Sequence, residues 1–520
     1  MALPEWSCAA VGADRVLARV GRRVWRRADA DADLGEGETG LVGETSCSYL
    51  STPVRPFLVW CAIWTRDGLM SFRRYCGFGS RAFELLRRSW LQTDGLPFAN
   101  VLTAEDMQAE FEVEGVSFSE RGSNSDDGLV YTPAITLWAL LSQMLFTGTQ
   151  RSCRSAVIRV AVYCALCGRR VSHTNTGAYC RARAKIPHTV IQRLTQRVAR
   201  GCEDAVPDEW RWHGRTVRVA DGTTCSLADT PENQAAYPQS KAQQPGIGFP
   251  ILRVVALLSL ATGMVTAAAC GPYAGKETGE TALLRELFDE FAPGDVFLGD
   301  RYYCGWFMLA LLQERGVDFV VRLHHLRRID FRTGLRLGTG DHKVLWRKPT
   351  RPDWLDQQTY DRLPAELVIR EVSVNTDIPG FRGRSLVIAT SLCDAIEFPQ
   401  ADLAALYRRR WDAELRLREI KSLMELDVLR CKTPDMVHQE LWAGFLAYNL
   451  IRQSMLQSAQ ANAARPEHLS FTATMQFLAN TWLPAVVASL PSTDTPDALI
   501  LLRLTQGHAH RVGNSACARR

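Results

Sequence analysis

VRVADGTTCSLADTP, residues 217–231, begins as a strand should, with apolar and basic residues alternating up to Ala220, and then meets an aspartate. Asp221 stands where a buried strand keeps its apolar pattern, and the residues after it are small or hydroxylic: Gly222, Thr223 and Thr224. Burying a lone carboxylate is costly unless a cation meets it. The stretch RTVRVAD (215–221) therefore reads as a strand ending on an acid that waits for a cation. A second stretch, DVFLGD (295–300), reads as a short buried strand that also closes on an acid, Asp300. If these strands are neighbours in one sheet, two acids 79 residues apart (300 − 221) come together. Adjacent carboxylates repel unless a divalent metal sits between them.

The surrounding pattern is mixed α/β. FPILRVVALLSL (249–260) and MVTAAAC (264–270) read as strands joined by a tight turn, and DFVVRL (318–323) and SLVIATSL (385–392) as further strands. TGETALLRELFDEF (278–291) reads as a helix with Thr278 as cap and Glu280 in its first turn; CGWFMLALLQERG (304–316) reads as a helix closed by Gly316. Residues 324–384 break this rhythm, being basic, rich in Gly and Pro, and alternating in short runs such as ELVIREVSV (366–374). They read as a β-rich insertion. Upstream, residues 96–208 read mostly helical, from the Thr-capped LTAEDMQAEF to HTVIQRLTQRVAR. Residues 1–95 contain the low-complexity run ADADADLGEGETG (28–40), expected to be disordered, and carry no assigned function. Residues 461–520 read as a helical region with a flexible tail.

Composition narrows the class. The 520 residues are 46% apolar and 22% charged, ordinary for a globular chain with a large core. The net charge of +5 is unevenly placed: from Gly128 to Cys202 there is no Asp or Glu but eleven Arg or Lys. That block carries +11 and leaves −6 (5 − 11) for the rest, a segregation suited to a polyanionic partner. Fifteen cysteines without a disulfide-rich module, and no secretory leader pattern, read as a reduced cytoplasmic protein. The lone C-x-x-C of Cys164 and Cys167, near His173 and Cys180, reads as packed thiols rather than a zinc site. The apolar stretches 129–146 and 249–271 read as a buried helix and a strand pair, not as membrane spans.

The third acid must come from DLAALYRRRWDAELRLREIKSLMEL (402–426), a strong helical pattern. At about 100° per residue, Tyr407, Arg410, Glu414, Arg418 and Lys421 fall in one stripe roughly 80° wide, while Asp412 and Glu419 point the other way. Glu425 returns to the stripe near the helix end. Glu414 is thus the acid flanked by phosphate-binding side chains, the combination phosphodiester chemistry uses. Asp229, Glu277 and Glu280 read as structural or supporting acids.

The spacing Tyr407-x2-Arg410-x3-Glu414-x6-Lys421 resembles the Y-R-E-K signature of the insertion-sequence-four family of bacterial DDE transposases. D-G-T-T at 221–224 and G-D-R-Y-Y at 299–303 resemble that family's two aspartate motifs. TNTGAYCRARAKIP (174–187) and GPYAGKETGE (271–280) resemble stretches in a subset of it. The resemblance implies a ribonuclease H-like catalytic core at 209–323 and 385–460, interrupted by the insertion and preceded by a helical DNA-binding region. It implies two Mg²⁺ (or Mn²⁺) ions held by Asp221, Asp300 and Glu414, with Tyr407, Arg410 and Lys421 on DNA phosphates. It also implies double-stranded DNA as substrate, both element ends and target, and a synaptic homodimer acting through a hairpin intermediate, in a nucleoid-associated cytoplasmic setting. An aromatic of the insertion stacks on a flipped base in such proteins, and Trp346 and Trp354 are the candidates. No phosphate-binding G-x-x-x-x-G-K-[ST] loop is present. A nuclease on the same core, or a non-catalytic DNA-binding relative, are the alternative readings.

Overall fold

The computed structural model describes residues 78–92, 98, 101–116, 130–166, 175–242, 244, 246–375 and 385–488. The chain first forms helices α1 (Phe78–Ser89), α2 (Ala104–Val113), α3 (Pro133–Leu145), α4 (Cys153–Leu166), α5 (Thr176–Arg183) and α6 (His188–Ala205). α2 starts where the sequence signals it, with Thr103 and Asp106 capping one another's backbone N–H. α3 follows a Thr132 cap and a first-turn proline, has no charged residue, and is buried almost all round. α6 turns Val190, Ile191, Leu194 and Val198 inward.

From there the chain gives β1 (Val217–Leu227), α7 (Pro231–Ala236), β2 (Ile251–Ser259), β3 (Val265–Pro272), α8 (Glu280–Glu286), β4 (Val296–Gly299), α9 (Trp306–Glu314) and β5 (Asp318–Arg322). Then come β6 (Leu335–Gly338), β7 (Asp341–Arg347), α10 (Gln357–Arg362), β8 (Glu366–Asn375) and β9 (Ser385–Thr390). The last elements are α11 (Gln400–Arg408), α12 (Trp411–Arg418), β10 (Val428–Leu429), α13 (Pro434–Ala461) and α14 (Phe471–Ala488). The strands form one sheet in the order β3-β2-β1-β4-β5-β9-β8-β7-β6, with β10 beside β1. β1, β2 and β3 are antiparallel, and β4 and β5 run parallel to β1 on its other side. Three antiparallel strands, a helix, and two parallel strands separated by a helix make the ribonuclease H-like arrangement. The β2–β3 turn passes through Gly263 at φ +70°, where an added Cβ would stand 2.8 Å from the guanidinium carbon of buried Arg452.

The sheet separates two cores. Val217, Val219, Cys225 and Leu227 of β1 pack on the side of α6, α12 and α13, and Ala220 packs on the side of α8 and α9. The acid-free block is partly neutralised within the fold. Arg193 pairs with Glu114 at 2.6 Å, and Arg197 with Asp106 and Glu110, both at 2.9 Å. Arg151 is buried against Glu440 at 3.4 Å.

Several expectations change. β1 does not stop at Asp221 but runs six residues further, to Leu227. α8 begins at Glu280 behind Gly279, and Thr278 donates instead to the Gly275 carbonyl. The helix expected over 402–426 comes in three pieces: i→i−3 bonds at Arg410, Asp412 and Ala413 tighten the join between α11 and α12, and a π turn occupies Glu419–Leu423. The strands of 324–384 extend the main sheet, β8 pairing with β9 from Arg370↔Thr390 to Asn375↔Ser385. Within residues 1–95, α1 is ordered, and Phe83, Leu85, Leu86 and Trp90 belong to the core. The run 28–40 and the tail beyond 488 lie outside the described residues.

Candidate active site

The site lies at a gap in the sheet. β4 accompanies β1 only from Val217↔Val296 to Val219↔Leu298, and β10 takes up that side only at Ser226↔Val428. Between them β1 has no strand neighbour on this side. The register offset of β1 and β4 is 79 residues (296 − 217), the same as that between Asp221 and Asp300 (300 − 221). Continuing the ladder two residues past its last pair therefore sets the two acids level, on strands roughly 4.8 Å apart. Asp221 Oδ1 accepts from the Gly222 N–H at 2.9 Å. Asp300 caps a short turn over Arg301–Tyr303, its Oδ1 accepting from the Tyr302 N–H at 2.7 Å.

α12 brings Glu414 to the same gap. Ala413 and Leu417 bury against the β1 side of the core, and the outward Arg410 donates to Glu414 Oε1 at 2.5 Å. Asp412 and Glu419 point elsewhere, to Arg409 at 3.4 Å and Arg416 at 2.8 Å, as the stripe predicts. Burial raises the Asp221 carboxyl to about 6; the Gly222 N–H and Arg410 oppose this, while Glu414 and Glu280 add to it. Tyr407 is buried and pushed up to about 12, with Arg410 and Arg322 opposing and Asp300 reinforcing. Lys421 stands near buried Cys225, whose thiol burial pushes up to about 12 against the lysine's pull. Among the described residues Lys421 makes no ion pair or hydrogen bond.

Other candidates are placed less centrally. Asp229 accepts from Gln234 at 2.9 Å, and Glu277 pairs with Arg285. Glu425 accepts from the Gly148 N–H and pairs with Arg430 at 3.1 Å. Trp346 is buried, its indole N–H donating to Glu371 at 3.0 Å under the Arg327 guanidinium, and Trp354 lies under Arg285 against Phe307. Neither is an open stacking surface. Among the described residues, Tyr302, 62% exposed, and Trp411, 51% exposed, are exposed aromatics within three positions of Asp300 and Glu414. Cys164 is buried in the core, whereas Cys167 and His173 lie outside the described residues.

Two further residues reach the gap without a signal in the local sequence. The β4–β5 register, extended one step past Gly299↔Val321, sets Arg322 level with Asp300. Glu280 seats against Gly222. Neither had a periodic signal, because each reaches the gap from a separate element. The donor set, all carboxylate oxygens, suits a hard divalent cation. Glu414 is turned toward Arg410, and among the described residues no three acidic, His or Cys side chains lie together at coordinating distance.

Residues 212–450 match the family model of the transposase DDE domain, a span running from β1 through most of α13 and holding Asp221, Asp300 and Glu414. Transposase InsG of insertion sequence element IS4 from Escherichia coli K12 is 31% identical over 305 residues, 57% of this chain and 64% of that protein. The transposase of insertion sequence element IS421 from Escherichia coli is 38% identical over 66 residues, 13% of this chain and 18% of that protein. The chain thus spans less than two thirds of the length of these relatives. The structure of the piggyBac transposase synaptic complex with hairpin DNA aligns over 82% of this chain and 85% of its own, at 10% identity and a TM-score of 0.38. The sheet and the matched segment define a DDE-type transposase domain. Within that class, the likeness that spans most of this chain is to the transposase of insertion sequence element IS4. No helix among the described residues is long and apolar enough to cross a membrane.

Proposed function

We propose that this protein is a cut-and-paste transposase that binds the terminal repeats of its element and breaks and rejoins DNA strands through Asp221, Asp300 and Glu414. The observation that carries this reading is the level register of Asp221 and Asp300 at an unpaired stretch of β1, with Glu414 and Arg410 near enough to bear on Asp221. Divalent ions, Mg²⁺ or Mn²⁺ and two per site, would be held by the three acids and supply Lewis-acid activation of the attacking oxygen and charge stabilisation at the leaving one. The orphaned Tyr303 hydroxyl supports such an occupant.

The chain's own residues do the rest. Glu414 can offer its Oε2 as a ligand while Oε1 accepts from Arg410, and a guanidinium drawn away by DNA would serve as a fork for phosphate oxygens. Lys421, without a partner, adds a point charge for the strand leaving the site. Tyr407, locked by burial, holds the start of the stripe in place. Trp411 or Tyr302, rather than Trp346 or Trp354 of the insertion, offers the exposed ring on which a displaced base stacks. The same site performs nicking, hairpin formation, hairpin opening and strand transfer within a homodimer on two DNA ends.

The test uses the full chain on DNA carrying the element ends. Asp221→Ala, Asp300→Ala or Glu414→Ala should abolish Mg²⁺-dependent strand cleavage while leaving end binding detectable in a mobility-shift assay. Unchanged cleavage by all three variants ends this reading, and cleavage without any strand-transfer product would point to a nuclease on the same core.

A further inference from the structure

The gap is approached from the other side of the sheet by a fourth acid. Glu280 is the first residue of α8, and a Cβ built on Gly222 would stand 2.5 Å from its Oε1. Only a residue with no side chain after Asp221 lets the Glu280 carboxyl settle this closely on β1. Among the described residues Glu280 forms no hydrogen bond or ion pair, although it is half-buried and burial raises its carboxyl, with Arg253 opposing and Asp300 reinforcing. Arg253 is occupied elsewhere, donating to the Thr278 carbonyl at 2.8 Å and lying over the Tyr273 ring.

A second observation is independent of the acids. Tyr303 is 1% exposed, is held by Phe297 and packs close to Gly299, yet its hydroxyl has no hydrogen-bond partner. The charges that bear on it are Glu280 first, then Asp221 and Asp300. An orphaned buried hydroxyl costs about 1–3 kcal/mol and calls for an occupant that supplies the missing bond. Tyr303 packs in the core on the α8 side of the sheet, where the unpartnered Glu280 carboxylate also lies.

We propose that Glu280, with the Tyr303 hydroxyl, is a positioning pair for a hydrated divalent cation held at Asp221 and Asp300, making the site a four-carboxylate rather than a three-carboxylate one. This rests on the proposed function. In it, Asp221 and Glu414 reach the gap from one side of the sheet and Glu280 from the other, with Asp300 at the tip of β4 between them. Glu280 and the Tyr303 oxygen would each accept a hydrogen bond from water carried by that cation. Outer partners of this kind are worth about 10–100-fold in metal affinity.

Mn²⁺ binding to the full-length protein without DNA, followed by the electron paramagnetic resonance signal of free Mn²⁺, tests this apart from activity. Glu280→Gln should weaken binding roughly 10–100-fold, and Tyr303→Phe should weaken it in the same direction. Gly222→Ala should mimic Glu280→Gln by pushing the carboxylate away. If Gly222→Ala does not fold, the isosteric Glu280→Gln decides alone. Wild-type affinity in Glu280→Gln, alongside loss of binding in Asp300→Asn, overturns the pair while leaving the proposed function standing. A wild-type protein that binds no Mn²⁺ overturns both.

Discussion

The two ends of the β1–β4 pair treat charge in opposite ways. At the near end Arg218 is buried and closed on both sides, by Glu203 at 2.8 Å and Asp295 at 3.1 Å. Three residues along the same strand, Asp221 has only a backbone N–H, and its neighbour Asp300 likewise. Both ends remove carboxylates from water, a cost that a fold offsets with a matched cation. The near end has its cation paired to both acids, whereas at the far end Arg410 is bonded to Glu414 and leaves Asp221 and Asp300 without an ion pair among the described residues. On the proposed function, that asymmetry separates charge that holds the molecule together from charge kept in reserve for a ligand.

The largest expected effect would break the far end. Asp300→Ala should eliminate cleavage yet leave the urea midpoint close to wild type, since no ion pair is lost. A large drop in midpoint would make Asp300 a structural acid. At the near end the expectation inverts: Arg218→Leu strands two buried carboxylates and should cost about 3–5 kcal/mol in urea unfolding. A loss below about 1 kcal/mol would show that the near end is no more closed than the far one.

A pH series sharpens the contrast. The Asp221 carboxyl sits at about 6 in the fold against an ordinary 3.8. Its proton therefore favours the folded state fully below about pH 4, and that contribution is lost as pH rises through 6. In metal-free protein Asp221→Asn should be more stable than wild type above pH 6, by on the order of 2 kcal/mol after partial exposure is allowed for. The gain should vanish near pH 4, and Mg²⁺ should narrow it at pH 8 by stabilising only the wild type. An advantage independent of pH would contradict the assignment.

The smallest effects concern unpaired and paired cations. Lys421→Ala should weaken binding to element ends and lower the salt slope by about one unit. Arg197→Ala should change that slope by less, because its guanidinium is already held by Asp106 and Glu110. Equal slopes for the two variants would mean that the arginines of α6 leave their acid partners to meet DNA.

Much of this was legible before folding. The alternation of 215–221, the apolar run 295–300, the paired strands of 249–270 and the uncharged helix at 133–145 are local patterns, and each appears where its periodicity ends or nearly so. The Tyr407, Arg410, Glu414 stripe survives because i→i−3 tightening displaces a helical face only slightly. Less legible was the continuation of β1 through Gly222 and Thr223, where small residues look like a turn. β10, two hundred residues later, pairs with its far end. Trp346 and Trp354 looked available because an aromatic in a loop-rich segment carries no signal of burial. A cross-strand bond to Glu371 closes off Trp346, and the Arg285 guanidinium, reaching from α8, covers Trp354.

Local chemistry thus decided which side chains could act: hydrophobic period, caps and a spacing along one helix depend on residues near each other in the chain. Which of them meet was decided by pairing between distant segments, because a ladder's register and the width of a gap have no local representation. Glu280 is an ordinary first-turn acid until β1 passes beneath it with a glycine in the right place.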